Sequence, residues 1–332
     1  MTSFPLHRKA FLAAAAATAL GLPLLASPAR AQSPYPNRPI TVIVPNAAGG
    51  GADTVARAVG PRMSALLNTA FIIDDKPGAN GNIAATLAAK AQPDGYTVLL
   101  GQTSQFATNP HMYAQMPFDG QKDLIPIVML ADAPNVIVVA ANSPFRTLKD
   151  IIDAAKVSKD GLDFATPGAG TVSHLIGAMI QQAADIKLVH VPYKGGPPAI
   201  TDTLAGRTAF MVSAVPSTLP QVRGGKMRAI AVSATRRSPV LPDVPTFAEA
   251  GLPGFDAGTW YGLFVPTGTP PEVVKKLSAA ANEALKSPEV VERLRSEGGD
   301  AVGGGADVLV ARIKKDYAQL GAAVKASGAK IE

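Results

Sequence analysis

Twice in this chain of 332 residues an apolar stretch meets a proline, passes through an uncharged glycine-rich loop and turns into a helical pattern. The first copy reads as a strand over Ile40 to Val44, a loop Pro45-Asn46-Ala47-Ala48-Gly49-Gly50-Gly51-Ala52, and a helix capped by Asp53 or Thr54. The second ends a strand at Phe164-Ala165, loops through Thr166-Pro167-Gly168-Ala169-Gly170, and takes Thr171 or Ser173 as its cap. A glycine loop feeding a helix start leaves backbone N–H groups unpaired and pointed at one spot, where the helix dipole also favours negative charge. Two such cradles facing one another make a clamp for an anion.

The rest of the chain alternates in the same way. Short apolar runs such as Thr41 to Val44, Phe71 to Ile73 and Thr97 to Leu100 are separated by helical patterns over Thr54 to Leu67 and Asn82 to Ala91. A second series starts at Val136 to Val139 and continues through helices near Leu148 to Val157 and Thr171 to Ala184, closing at Ala229 to Val232. Strands alternating with helices imply an α/β fold of mainly parallel sheets flanked by helices. Proline and glycine then become dense from Ser238 to Gly258, as in a connection between lobes. One strand, Trp260 to Val265, and three helical segments starting near Pro271, Pro288 and Ala306 follow. A single strand cannot form a sheet, so it is expected to return to the first lobe. The expected division is lobe 1 over 32–135 plus 250–332 and lobe 2 over 136–249.

At the N-terminus, Arg8 and Lys9 precede an apolar run from Ala10 to Leu25, and Ala29-Arg30-Ala31 closes it as a small-x-small cleavage site. Residues 1–31 therefore read as a cleaved export signal, fitting the general secretory route better than a twin-arginine one. The expected product is exported and soluble. Removing Arg8, Lys9 and Arg30 with the leader takes the formal charge from +6 to +3, too mild for a nucleic-acid partner. The chain has no cysteine, which removes disulfides, thiolate metal sites and thiol nucleophiles together. His111, His174 and His190 stand at no ligand spacing with one another or with an acid cluster, so neither metal nor cofactor is expected.

The candidate ligand contacts lie at the carboxyl ends of strands, the ligand-facing edge of an open α/β sheet. From the first cradle these are Asn46, Ala48, Gly49, Gly50 and Asp53, with Asp53 read first as a helix cap. The turn Pro77 to Asn82, with Asn82 read as the cap of the next helix, adds Gly78 and Asn80, and the segment after the next strand adds Gln102, Thr103 and Ser104. The second cradle supplies Thr166, Gly168, Gly170, Thr171, Ser173 and His174. Two further edges add Tyr193, beside Lys194, and Ser213 with Ser217. Lys194 is the only cation among these loops. The glycine loops are neither a P-loop nor a dinucleotide fingerprint. Ser173-His174 does not read as a nucleophile and base, because neighbours on a helix diverge and the chain has no nucleophile elbow. No catalytic residue is assigned.

Several long motifs stand in order along the chain. They are Tyr35-Pro36-Asn37-Arg38-Pro39-Ile40, Lys76-Pro77-Gly78-Ala79-Asn80-Gly81-Asn82-Ile83, Pro93-Asp94-Gly95-Tyr96-Thr97, His190-Val191-Pro192-Tyr193-Lys194-Gly195-Gly196, and Leu241-Pro242-Asp243-Val244-Pro245-Thr246 with Glu249-Ala250-Gly251-Leu252-Pro253-Gly254. With these the chain resembles the Bug or TctC family, the periplasmic substrate-binding proteins of tripartite tricarboxylate transporters. The resemblance implies a two-lobed periplasmic-binding-protein fold of the Venus-flytrap, type II kind. It implies a monomer that closes on a small organic acid and delivers it to the membrane permease subunits of a tripartite transporter. Relatives hold the carboxylate through backbone amides and bridging waters, in keeping with cradles that carry no Arg or Lys. Where many have two prolines before the glycines this chain has Asn46-Ala47-Ala48, and where many have an Asp-Asn pair it has Ser213-Ala214. Two other outputs remain open to the same cleft: a receptor that reports to a signalling kinase, and an exported hydrolase or isomerase.

Overall fold

Strands β1 (Ile40–Val44), β2 (Phe71–Asp75) and β3 (Thr97–Gln102) run parallel in the order β2-β1-β3. The computed structural model describes residues 35–327 apart from position 256, so the expected leader over 1–31 lies outside the described residues. Helices α1 (Gly51–Leu67) and α2 (Asn82–Ala89) carry the chain from strand to strand. Alternation along β1 decides which helix covers which face. Ile40, Val42 and Val44 pack in one cluster with Val55, Val59 and Met63 of α1, while Ile43 meets Ala84, Ala85 and Ala88 of α2.

The long strand β4 (Leu124–Ala140) serves two sheets. Its first part, Leu124 to Pro134, pairs antiparallel with β9 (Gly258–Pro266), which in turn lies antiparallel beside β3. From Asn135 onward it pairs with β7 (Phe210–Ala214) on one side and β8 (Met227–Val232) on the other. Pro134 stands at the changeover, where a missing N–H costs the ladder least. Beyond β7, the strands β5 (Leu162–Thr166) and β6 (Leu188–Pro192) continue in parallel. The lone strand after the proline-rich segment thus sits between β3 and β4, and each sheet is parallel except where β4, β8 and β9 enter it.

The remaining helices are α3 (Asn109–Met112), α4 (Leu148–Val157), α5 (Val172–Ala184), α6 (Gly196–Leu204), α7 (Val215–Arg223), α8 (Pro271–Lys286), α9 (Pro288–Ser296) and α10 (Ala306–Ser327). A two-residue strand β10 (Asp300–Ala301) pairs with β4. Pro271 and Pro288 open their helices, where an N–H would go unpaired in any case. One core gathers Val42, Val59 and Leu277, and another gathers Ile137, Leu175 and Phe210. Leu252, Phe255 and Ala257 belong to the second of these. Helix α10 reaches both sides, with Leu309 packed beside Trp260 and Phe264 and with Leu320 and Val324 in the Phe210 cluster.

Two helix starts differ from expectation. The cap of α1 is Gly50, in extended conformation, rather than Asp53 or Thr54. Asn46 Oδ1 reaches over the loop to accept from the Ala52 N–H at 2.9 Å, so a side chain from four residues before the cap does the work of a cap. Asp53 lies in the first turn and accepts from the Gly49 N–H at 2.7 Å. Likewise α2 is capped by Gly81 at φ +86°, behind a 3₁₀ turn over Ala79–Gly81, rather than by Asn82.

Candidate functional site

The two cradles open on one space. An inner chamber of about 30 Å³ has Asn46, Gly50 and Gly51 on one side and Pro167, Thr171, Val172 and Ser173 on the other. An outer chamber of about 200 Å³ continues from it between the turn at Gly78 to Gly81 and the segment Tyr193 to Gly195. A larger cavity of about 750 Å³, between Phe106, Phe118 and Ile313, reaches neither cradle and holds no convergent donors from the loops. The chambers have the concave, loop-built character of a ligand site, and their walls draw on six separate strand ends.

Each cradle is held by its own side chains. In the second, Thr171 caps α5, accepting from the His174 N–H at 3.2 Å, while its own hydroxyl donates to the Gly168 carbonyl at 2.8 Å. Gly170 N–H donates to His174 Nδ1 at 3.2 Å, which leaves the proton of that ring on Nε2. His190 stacks on His174 with centroids 3.9 Å apart and hydrogen-bonds Thr166 Oγ1 at 2.6 Å. Burial pushes the pKa of His174 down to about 4. Burial and then its neighbour His174 push His190 down to about 3, so the pair is a neutral buttress. In the first cradle the buried Asp53 carboxylate is paired with Arg57 at 2.7 Å, which keeps both charges behind the loop.

The mouth is narrow. A β-carbon built on Gly195 would lie 3.5 Å from Ala47 Cβ, and one on Gly49 would lie 3.9 Å from Pro197 Cγ, so the rims of the two loops meet. Behind them the Thr108 hydroxyl, in a π-helical turn over Ser104–Thr108, donates to the Gly170 carbonyl. A β-carbon on Gly51 would stand 2.3 Å from the Tyr261 hydroxyl oxygen and 3.3 Å from Ser217 Oγ, so only glycine lets these three meet. The Gly51 N–H has no acceptor among the described residues.

Of the residues expected from sequence, Asn46, Gly50, Gln102, Ser104, Thr171, Ser173, Ser213 and Ser217 line the inner chamber. Gly78, Asn80, Gly168 and Tyr193 line the outer one, with Lys194 its only cation among the described residues. Ala48, Gly49, Asp53, Thr103, Thr166, Gly170 and His174 line neither. Several of these have structural partners instead: Thr103 Oγ1 accepts from the Trp260 N–H at 2.9 Å, for example. Asn80 both lines the wall and braces it, donating to Asn109 Oδ1 at 2.5 Å. Tyr193 donates to Asp202 at 2.8 Å.

Gly51, part of the first cradle, lines the inner chamber, while Thr259, Tyr261 and Tyr113 line the chambers without having been expected there. For Thr259 and Tyr261 the reason is topological. Strand β9 is antiparallel to its neighbour β3, so the start of β9, not its end, comes to the edge where the loops gather. Asn135 is likewise hidden in mid-strand, yet its Oδ1 accepts from Ser173 Oγ at 2.8 Å and its Nδ2 donates to Thr259 at 3.2 Å. No run of turn residues marks either position.

Comparison with known proteins agrees with this geometry. The model of the tripartite tricarboxylate transporter family receptor, TctC, matches residues 55–329. A protein of Pseudomonas sp. (strain P51), described as a UPF0065 protein in the tcbD-tcbE intergenic region, is 39% identical over 300 residues, covering 90% of this chain and 89% of its own. Among solved structures, the periplasmic binding protein BugD superposes with a TM-score of 0.85 at 34% identity, covering 90% of this chain and all (100%) of its own. Rpa4515 of R. palustris, solved with adipate, gives 0.87 at 31% identity, with 90% and 100% covered. MatC of Rhodopseudomonas palustris, with bound malate, gives 0.82 at 32% identity, with 87% and 100% covered. These relatives are binding proteins rather than enzymes and share the two-lobed fold. The chain belongs to the tripartite tricarboxylate transporter receptor family and is a solute-binding receptor of the periplasmic-binding-protein fold.

Proposed function

We propose that this protein works in the periplasm as a receptor that closes on a small organic acid carrying two carboxylates and hands the closed form to the membrane permease of a tripartite transporter. The observation that carries the reading is the convergence of the two glycine-loop helix starts, at Gly51 and Val172, on one uncharged inner chamber. Amides and helix dipoles there favour an anion. Lys194, at the wall of the outer chamber, gives a second carboxylate a partner. Adipate and malate, bound by two of the similar structures, are dicarboxylates.

The hinge of this reading lies where β4 changes partners at Asn135 and in the segment between β8 and β9. Ligand drives closure because only the closed state presents both cradles to it. A panel of mono-, di- and tricarboxylates tests the reading by thermal shift. At a hundredfold excess over Kd a true ligand raises the Tm by roughly 5 °C. No shift across the whole panel would remove the carboxylate reading, and coprecipitation of the permease subunits from membranes with ligand-loaded protein tests the delivery step.

A further inference from the structure

The inner chamber contains a hydroxyl that no described residue satisfies. Ser213 is wholly buried at the end of β7, and its Oγ has no hydrogen-bond partner. Buried polar atoms are paired in nearly all folded proteins, because an unpaired one forfeits its water without compensation. A buried orphan in a chamber wall is therefore a group held for a guest. The same chamber is lined by Tyr261, on β9, with its hydroxyl against Gly51. Burial raises the Tyr261 pKa, with the Asp132 charge adding to the effect, so the phenol stays protonated and available as a donor.

We infer that Ser213 and Tyr261 are direct ligand donors, a hydroxyl pair that grips one terminal carboxylate of the bound acid and sets the preference of the receptor for acids without an ammonium group. The inference rests on the receptor reading above and deepens it. Three features of the chamber agree. No acidic side chain lines it among the described residues, so a positive charge finds no partner there. Its volume of about 30 Å³ suits a single carboxylate and not the body of a ligand, which extends into the outer space of about 200 Å³. Ser213 belongs to the sheet that contains β5 and Tyr261 to the sheet that contains β1, so an acceptor between them is held from both sides only when the cleft is shut. The pair couples recognition to closure as well as adding contacts.

The test is isothermal titration of the mature protein and its Ser213→Ala and Tyr261→Phe variants with adipate, malate and aspartate as probes. Malate and aspartate differ only in carrying a hydroxyl or an ammonium on the second carbon. The expected result is wild-type binding of adipate or malate with aspartate at least tenfold weaker, and a loss of about tenfold in affinity for the bound acid in each variant, the effect of removing one hydrogen bond to a charged acceptor. Ser213→Asp, which places a carboxylate beside the seat, should abolish binding of the acid and narrow the gap between malate and aspartate. Thermal melts confirm that each variant is folded, and Ser213→Ala gives an independent reading if loss of the phenol weakens the fold. Wild-type affinity in both single variants overturns the inference alone. If the wild-type protein binds neither adipate nor malate nor any other acid of the panel, the receptor reading falls and this one with it.

Discussion

The Ser173 hydroxyl in the first turn of α5 donates to Asn135 Oδ1 at 2.8 Å, tying the second cradle to the strand that passes from one sheet to the other. Asn135 is fully buried, and its side-chain amide also reaches Thr259 at 3.2 Å, at the start of β9. One side chain thus bonds a cradle and the returning strand together at the point where β4 changes partners. Asn135→Ala should cost about 2 kcal/mol, since it removes the acceptor of the Ser173 hydroxyl and the donor to Thr259. Urea unfolding measures it. A midpoint equal to wild type would show that water replaces the amide without penalty.

Gly51 and Tyr261 make a steric pair. The β-carbon of Gly51→Ala would stand 2.3 Å from the Tyr261 hydroxyl oxygen, well inside contact distance, so the loop or strand must shift and the inner chamber distort. Affinity for the cognate acid should drop by at least tenfold. Tyr261→Phe in the same protein removes the colliding oxygen and leaves the ring carbon at 3.2 Å, so the double variant should recover its thermal stability relative to Gly51→Ala alone. If the two substitutions instead add in Tm, the collision is relieved in some other direction.

The stacked imidazoles predict a pH dependence of known sign. Both titrate lower in the fold than the ordinary value of 6.5, at about 4 for His174 and about 3 for His190. Between these values and 6.5 the unfolded chain takes up protons that the folded chain refuses. The stabilisation is complete above pH 6.5 and is lost as the pH falls toward about 4 for His174 and about 3 for His190, at up to about 1.4 kcal/mol per pH unit for each ring. His190→Gln keeps a donor for Thr166 and removes one titration. Its Tm should fall less steeply than that of wild type from pH 6.5 to 4, with the carboxylates common to both, and parallel curves would refute the assignment.

Asp316 accepts from the Trp260 indole N–H at 3.0 Å and from Arg312 Nε at 2.8 Å, beneath the sheet that carries Tyr261. Asp316→Ala leaves the buried indole without an acceptor and Arg312 with Asp132 alone, at a cost of about 3 kcal/mol. Asp316→Asn retains an acceptor oxygen for the indole and should cost clearly less. Chemical denaturation of the two variants separates them. Equal losses would place the effect in the ion pair and not in the indole bond.

Much of the site was legible because its chemistry is local. A proline, an uncharged glycine run and a helix start are neighbours in sequence, so the cradles at Gly49 to Gly51 and at Gly168 to Thr171 announce themselves, as do the strand ends at Asn80, Gln102 and Ser213. Their caps were less legible, since Asn46 acts on Ala52 across a loop whose path the sequence does not state. The same holds for three residues read as contacts: Thr103, Thr166 and His174 carry side chains suited to a ligand, and only the packing around them shows that they also bond protein atoms.

What the sequence determined by itself is the order of strands and helices, the uncharged character of both cradles and the family, because periodicity, turn chemistry and contiguous motifs are properties of neighbouring residues. What only the tertiary structure decided is that the two cradles share a chamber, that Thr259 and Tyr261 belong to it, and that Asn135 braces it from behind. Strand β4 passes between sheets and β9 returns antiparallel, so residues more than a hundred positions apart meet at one edge. Strand order and direction arise from long-range pairing of β-strands, and no local pattern of side chains encodes them.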